Sequence, residues 1–205
     1  VVDTGASMLA LLVGPETAGV RLDMSDVRRL GSEDDLAAPN AAVQRDLDLD
    51  FGPLQLLDQT VLAIPLDSLM CSEEIRDPPF QGVIGHELFS RYVVEINYDR
   101  GELVLHDPET YRYRGDGQVV PADISGRQPY VQATVRPPQG AAYPVRLHVD
   151  SGAGIDMSLF PKTSPAIVPP PGGRTKNGCF VGGVAQYHTG SRVQLGLDGT
   201  AAATD

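Results

Sequence analysis

A short motif occurs twice in this chain, and it constrains the fold more than any other feature of the sequence. Val2-Asp3-Thr4-Gly5-Ala6 returns as Val149-Asp150-Ser151-Gly152-Ala153, so both copies read apolar, Asp, Thr or Ser, Gly, Ala. From average residue usage, one match to the last four positions in a chain of this length has a probability on the order of one per cent. Two matches, each after an apolar stretch, are far less expected by chance. The repeat predicts two related halves, each of which presents one aspartate.

The residue types of the motif favour a pair of interacting carboxyl groups. A carboxylate at the end of a strand, followed by a small hydroxyl residue and Gly, lies on a tight loop whose backbone can approach a partner closely. Two such loops face to face would bring Asp3 and Asp150 to about 3 Å, where both cannot ionise at once. One carboxylate could then accept a proton from a water molecule while the other carboxyl donates to a carbonyl oxygen. We expect the hydroxyls of Thr4 and Ser151 to tie the loops together by hydrogen bonds to the opposite backbone.

Hydrophobic residues elsewhere alternate with a period of two, which is typical of strands. The pattern predicts a strand at 46–51 with a solvated face of Asp46, Asp48 and Asp50. It also predicts hairpins at 92–106 and 130–149 and a strand at 192–197. Short helices are predicted at Met24–Leu30 and Glu87–Arg91. Residues 108–129 are rich in Asp, Gly, Arg and Pro, and we interpret them as a linker. The chain is therefore predicted to be all-β.

Composition excludes several classes of function. The 205 residues carry a formal net charge of −11, which argues against nucleic-acid binding because neutralising phosphates needs clustered Lys and Arg. The longest apolar run, Met8–Val13, is far shorter than the roughly 20 residues of a membrane-spanning helix. Two cysteines, Cys71 and Cys179, exclude a disulfide-dense scaffold and a four-cysteine zinc site, and whether they pair stays open. The four histidines are scattered singly, so we expect no metal site.

Two further segments, together with the repeat, make the chain resemble the aspartic peptidases, in particular the retropepsin-like aspartyl proteases of bacteria. Gly82-Val83-Ile84-Gly85, followed by a short helix and a strand at 92–98, resembles the family's apolar-apolar-Gly loop, which passes under the catalytic loop. The segment 177–184, Asn-Gly-Cys-Phe-Val-Gly-Gly-Val, resembles the family's glycine-rich flap. The resemblance covers most of residues 1–107 and about 130–197.

The resemblance implies an acid-protease fold of two pseudo-symmetric β lobes, here 1–107 and 130–205, with a central cleft for an extended peptide or protein substrate. It implies hydrolysis of peptide bonds by a water molecule held between the catalytic residues Asp3 and Asp150, without a covalent intermediate, metal or other cofactor. The resemblance also assigns the remaining site residues: loop support by Thr4, Gly5, Ser151 and Gly152, packing under the loop by Val83, Ile84 and Gly85, and substrate binding at the flap by Gly178, Phe180, Gly182 and Gly183.

The two ends of the chain depart from the pattern of the family. No strand pattern precedes Val1, and no apolar-apolar-Gly segment follows the second motif. We therefore expect a piece of a longer two-lobed protein. On that basis we expect these 205 residues alone to be marginally stable and less active than a version extended at both ends.

Three alternatives remain open at the level of the sequence. The first is a non-catalytic peptide-binding module that retains the aspartyl protease fold, since the second copy has Ser151 where Thr is commoner. The second is a homodimer in which two Asp3 loops meet and Asp150 plays no part. The third is a pair of ordinary turns containing Asp and Gly in a β-sandwich.

Overall fold

The computed structural model describes residues 1–31, 38–66, 80–169, 172–180, 183–190 and 192–202. Cys71, the predicted flap residue Gly182 and the three consecutive acidic residues Glu33, Asp34 and Asp35 lie outside the described residues. The elements in chain order are the strands β1 Leu9–Val13, β2 Arg28–Arg29, β3 Asn40–Asp50, β4 Gln55–Pro65 and β5 Gly82–Val83, the helix α1 His86–Phe89, and the strands β6 Val93–Asn97, β7 Glu102–His106, β8 Gln118–Val119, β9 Asp123–Ser125, β10 Gln128–Arg136, β11 Tyr143–His148, β12 Arg174–Phe180, β13 Gly183–Thr189, β14 Gln194–Leu197 and β15 Ala201–Ala202. Single turns of 3-10 helix lie at Pro15–Thr17 and Pro161–Thr163. The predicted all-β class is confirmed.

The chain forms two compact units that interleave along the sequence. The first unit contains Val1, Met8–Ile84 and Pro171–Thr189, and the second contains Val2–Ser7, Gly85–Pro170 and Gly190–Asp205. Both aspartate motifs therefore lie in the second unit, while the predicted flap lies in the first. These units cut across the predicted boundaries at 107 and 130, and the two predicted lobes stay a prediction.

The first unit is built on a five-stranded sheet with the order β2-β3-β4-β1-β5. Strand β1 runs parallel to β4 and antiparallel to β5, so it is an interior strand. Ala10 and Leu12 contribute to one buried cluster with Ala41 and Ile64, while Leu9 belongs to a second cluster. A strand with apolar neighbours on both faces needs no polar positions, which explains the unbroken apolar run at Met8–Val13.

The long hairpin of β3 and β4 contains the predicted strand at 46–51. Asp46, Asp48 and Asp50 are exposed, so the predicted solvated face is confirmed. The pairing of β3 with β4 shifts register between Gln44 and Leu47, and Asp46 has a positive φ of 56° there. Such a bulge bends the strand and strengthens its twist.

The helix predicted at Met24–Leu30 is wrong. Residues 28–29 form strand β2, which pairs with Asn40 and Ala41 of β3. Just before it, the buried side chain of Gln44 accepts a hydrogen bond from the Asp23 N–H at 2.9 Å and donates one to the Asp23 carbonyl at 2.7 Å. These bonds and the strand pairing come from distant parts of the chain, so tertiary structure overrides the local propensity.

Strands β12 and β13 form an antiparallel hairpin in the first unit, in register from Arg174 opposite Thr189 to Phe180 opposite Gly183. The described residues of the predicted flap segment, 177–180 and 183–184, lie on these two paired strands. Gly178 and Phe180 belong to β12, and Gly183 begins β13. The role of this segment over a substrate stays a prediction.

The second unit is centred on β10, which pairs with β11 on one side and β14 on the other. Val131, Ala133 and Val135 alternate with more exposed residues and form the buried side of the strand. The hairpins predicted at 92–106 and 130–149 are confirmed as the pairs β6–β7 and β10–β11, and the strand predicted at 192–197 is confirmed as β14. The helix predicted at Glu87–Arg91 is also present, as α1.

The predicted linker, 108–129, contains two short strands. Strand β8 pairs with β15, and β9 pairs with the start of β10. Gly126 and Arg127 between β9 and β10 have φ of 59° and 67°, the backbone conformation that a two-residue hairpin turn requires.

Across the described residues, no helix is long and apolar enough to cross a membrane.

Candidate active site

The two repeated motifs fold into loops of the same local geometry. In the first loop the Ala6 N–H bonds to the Asp3 carbonyl at 3.2 Å, and in the second the Ala153 N–H bonds to the Asp150 carbonyl at 3.3 Å. The glycine N–H two residues after each aspartate donates to that aspartate's own Oδ1, at 2.6 Å from Gly5 and 2.9 Å from Gly152. Aspartate favours such turns because its short side chain reaches the backbone two residues further on. The sequence repeat is therefore also a structural repeat.

Each loop places its glycine against the aspartate of the other loop. A Cβ added to Gly5 would lie 2.7 Å from Cγ of Asp150, and a Cβ added to Gly152 would lie 2.6 Å from Cγ of Asp3. Neither distance leaves room for a methyl group. The glycines are therefore required by close approach, and the reciprocal arrangement brings the two carboxyl groups together.

The hydrogen bonds expected from the hydroxyls of Thr4 and Ser151 are present. Oγ1 of Thr4 donates to the Val149 carbonyl at 2.7 Å and accepts from the Ser151 N–H at 3.0 Å. In the opposite direction, Oγ of Ser151 donates to the Val2 carbonyl at 3.3 Å and accepts from the Thr4 N–H at 3.0 Å. Four bonds thus cross between the loops, two from each hydroxyl, and they fix one loop on the other.

The carboxyl group of Asp3 is half-buried, and its pKa is raised above the ordinary value of 3.8. Burial is the largest cause, because removing a carboxylate from water disfavours its charged form. The hydrogen bond with the Asp150 side chain and the negative charge of Asp150 raise the pKa further, while the N–H groups of Gly5 and Gly152 oppose the rise. Asp3 is therefore suited to carry the proton that two adjacent carboxyl groups share.

Gly85 and helix α1 support the first loop from within the same unit. The His86 N–H donates to the Ala6 carbonyl at 3.0 Å. A Cβ on Gly85 would lie 2.3 Å from the Ala6 carbonyl oxygen and 2.5 Å from that of Asp3. Because both neighbours are backbone atoms, a side chain at this position would displace the loop itself.

The other two residues predicted to lie under the loop belong to the core of the first unit. Val83 packs against the cluster that contains Ala10 and Leu12, and Ile84 packs against the cluster that contains Leu9 and Val61. Of the three predicted residues, Gly85 is thus the one observed against the Asp3 loop. The packing of Val83 and Ile84 beneath that loop stays a prediction.

One further residue contacts the first loop without having been singled out in the sequence. The side-chain amide of Gln128, at the start of β10, donates to the Gly5 carbonyl. Nothing in the local pattern marks this residue, because its partner lies 123 positions away. The nearest signal in the sequence is Gly126, which forms with Arg127 the turn that precedes β10 and sets the direction of the strand on which Gln128 lies.

The arrangement offers two adjacent carboxyl groups with hydrogen-bond donors from the backbone around them. Within the ranges that the structure describes, no three His, Cys, Asp or Glu side chains cluster as metal ligands would. Comparisons of the chain with protein-family models, curated proteins and solved structures found no match. The chemistry of the two carboxyl groups is therefore the main guide to function.

Proposed function

We propose that this protein is an aspartic endopeptidase of the retropepsin-like kind, with an acid-protease fold, in which Asp3 and Asp150 activate water. The observation that carries the proposal is the reciprocal packing of Gly5 on Asp150 and of Gly152 on Asp3. That packing brings two carboxyl groups together, and the repulsion between two charges favours a state in which the pair retains one proton. Paired carboxyl groups that share one proton are the arrangement that general acid–base hydrolysis requires.

The raised pKa of Asp3 supports a division of roles within the pair. In this proposal Asp3, whose pKa is raised, is the general acid, and Asp150 is the general base. Asp150 accepts a proton from the water, whose oxygen bonds to the peptide carbonyl carbon, while Asp3 donates its proton to the carbonyl oxygen. In the second step Asp150 passes its proton to the amide nitrogen, the C–N bond breaks, and Asp3 recovers a proton from the hydroxyl. The products are a carboxylic acid and an amine, and both residues return to their starting states.

An extended peptide is the substrate that this fold would hold, through a flap at 177–184. The paired strands β12 and β13 and the glycines Gly178, Gly182 and Gly183 support that role. A glycine-rich hairpin has backbone N–H and C=O groups that an extended peptide can pair with, as an added strand does. Phe180 belongs to the same proposed substrate-binding segment.

Two alternatives make different demands on the aspartates. A peptide-binding module gains nothing from two adjacent carboxyl groups, whereas a hydrolase needs both. A homodimer through two Asp3 loops needs the surroundings of Asp3 to be open to a second copy, whereas Gly152 and Ser151 of the same chain occupy them. The pairing within one chain therefore favours the intramolecular dyad.

The test is cleavage of a peptide library, read by mass spectrometry, as a function of pH. The dyad predicts a bell-shaped rate profile in the acid range and loss of turnover in both Asp3→Asn and Asp150→Asn. Asp156→Asn is the matched control, because it removes the same charge from an exposed position. Full activity in Asp150→Asn would instead support the homodimer.

A second measurement separates an enzyme from a binding module. A peptide with a tetrahedral, hydroxyl-bearing centre in place of one amide mimics the transition state, and such analogues bind at least about 100-fold tighter than substrates. Calorimetry should show this preference in the wild-type protein and its loss in Asp3→Asn. Equal binding of the analogue and the parent peptide, without cleavage, would contradict the proposal and favour the binding module.

A further inference from the structure

Gln128 connects the sheet of the second unit to the loop that carries Asp3. Its half-buried side chain donates from Nε2 to the carbonyl oxygen of Gly5. That carbonyl belongs to the Gly5–Ala6 peptide group, whose N–H bonds to the Asp3 carbonyl at 3.2 Å. One amide side chain therefore holds the peptide group that closes the Asp3 turn.

The orientation of the Gln128 amide is set from two sides. A carbonyl oxygen can only accept, so the NH2 group of the amide must face Gly5. The amide oxygen in turn accepts a hydrogen bond from the hydroxyl of Tyr130 at 3.4 Å. The guanidinium carbon of Arg146 lies 3.8 Å from the centroid of the Tyr130 ring. The centroid of the His148 ring lies 5.1 Å from that of the Tyr130 ring. These two neighbours, both on β11, limit the rotation of the Tyr130 ring. The hydroxyl of that ring in turn limits the rotation of the Gln128 amide.

The residue next to Gln128 holds the other aspartate loop. The carbonyl of Pro129 accepts a hydrogen bond from the Val149 N–H at 2.9 Å, directly before Asp150. Two successive residues at the start of β10 thus contact both loops. Pro129 fixes the second loop through its backbone, and Gln128 fixes the first loop through its side chain.

We propose that Gln128 is a positioning residue that holds the Asp3 carboxyl in register with Asp150. It acts through the Gly5–Ala6 peptide group and does not touch the reacting atoms. Its effect on catalysis rests on the proposed peptidase function, whereas its effect on Asp3 does not. Without the bond, the turn is free to shift, and the Gly5 N–H that donates to Oδ1 of Asp3 at 2.6 Å loses its fixed direction.

The first test replaces Gln128 by Met, which keeps the length of the side chain and removes the donor. Gln132→Met is the matched control, since Gln132 is exposed on the same strand. A misplacement of about 1 Å can cost up to about 100-fold in rate, so we expect kcat to fall at least tenfold with KM within about twofold. The control should match the wild-type protein in both constants.

A second readout does not depend on activity. The Gly5 N–H is one of the groups that lower the pKa of Asp3. Weakening that bond should therefore raise the pKa of Asp3 in Gln128→Met above its wild-type value. Titration of the carboxyl group by carbon NMR, with ¹³C-labelled aspartate, measures this shift, and Gln132→Met should leave it unchanged.

A third variant tests rescue. Gln128→Glu retains the shape of the side chain, but its carboxylate repels the Gly5 carbonyl when ionised and donates an O–H to it when protonated. Relative to the wild-type protein, this variant should recover kcat as the pH falls, whereas Gln128→Met should not. Tyr130→Phe, which frees the amide without removing its donor, should have a smaller effect than Gln128→Met.

The outcomes separate this inference from the proposed function. A lower melting temperature in Gln128→Met with unchanged kcat and unchanged Asp3 titration would show a merely structural role and overturn the inference. If the wild-type protein cleaves no peptide, the proposed function fails. The titration of Asp3 then decides the inference alone: a raised pKa in Gln128→Met supports it, and an unchanged pKa overturns it.

Discussion

Replacing Gly152 by Ala tests whether close packing of the two loops sets the position of the proposed catalytic pair, Asp3 and Asp150. The new Cβ would lie 2.6 Å from both Cγ and Oδ2 of Asp3, whereas carbon atoms in contact are separated by about 3.5–4.0 Å. The Asp3 carboxyl would therefore have to move by about 1 Å. Because it is the end of a side chain, it can rotate away, and we expect a stability cost of only about 1–3 kcal/mol.

The effect on catalysis should be much larger than the effect on folding. A displacement of about 1 Å can lower the rate about 100-fold, so kcat should fall by about that factor. Kinetics on a cleaved peptide and urea unfolding, followed by far-UV circular dichroism, measure the two effects separately. Gly5→Ala should produce the mirror result, because its Cβ would lie 2.7 Å from Cγ of Asp150.

Gly154→Ala is the matched control in the same loop. Nothing lies within 4 Å of a Cβ at Gly154, and its φ is not positive, so the substitution introduces neither a clash nor backbone strain. This variant should keep wild-type kcat and stability. A Gly152→Ala protein as active as Gly154→Ala would refute the reasoning, because the carboxyl position would then not depend on the missing side chain.

Three further predictions test the hydrogen bonds between the two loops, the proposed shared proton and the proposed flap. Thr4→Val removes a donor to the Val149 carbonyl and leaves the Ser151 N–H without its acceptor, which should cost about 2–4 kcal/mol in urea unfolding. Thr163→Val is the control: it removes a hydroxyl that donates to the Phe160 carbonyl in an exposed turn, and it should cost at most about 1 kcal/mol. Equal losses of stability in the two variants would contradict a special role for the bonds between the loops. The raised pKa of Asp3 means that the folded protein binds this proton more tightly than the unfolded chain, so wild-type stability falls as the pH rises from 3.8 through the raised value. The difference in melting temperature between Asp3→Asn and the wild-type protein should therefore be smallest in acid and should grow, in favour of the variant, as the pH rises through that window. A difference that does not change with pH would contradict the raised pKa of Asp3. Alanine at both Gly182 and Gly183 should raise KM or lower kcat roughly two- to fivefold by stiffening the flap, while unchanged kinetics would remove the flap assignment.

The residues of the two aspartate loops could be found from the sequence because the requirements of such a loop are local. Asp, a small hydroxyl residue and Gly must stand next to one another for a carboxylate to turn back on its own backbone and for a second loop to approach. The same is true of strand β10, where the alternation of apolar residues follows from one buried face at Val131, Ala133 and Val135. The all-β class rests on these patterns.

Other features depend on partners that are distant in sequence. The apolar run at Met8–Val13 gives no sign that β1 pairs in parallel with β4, some 50 residues further on. The segment at Met24–Leu30 has a helical pattern, yet β3 and the Gln44 side chain hold it extended. Local pattern carries no information on such pairings, because their free energy comes from contacts made only in the folded chain.

The sequence by itself determined that two equivalent aspartate loops exist and which residues allow them to approach. Only the tertiary structure decided that Asp3 is the more buried member of the pair, with a raised pKa, since burial is a property of the surroundings and not of the motif. Only the tertiary structure revealed Gln128 as a partner of the first loop, across 123 positions. Such a hydrogen bond cannot be recognised from a periodic pattern in the sequence, because it involves one side chain whose position is set by the folded backbone.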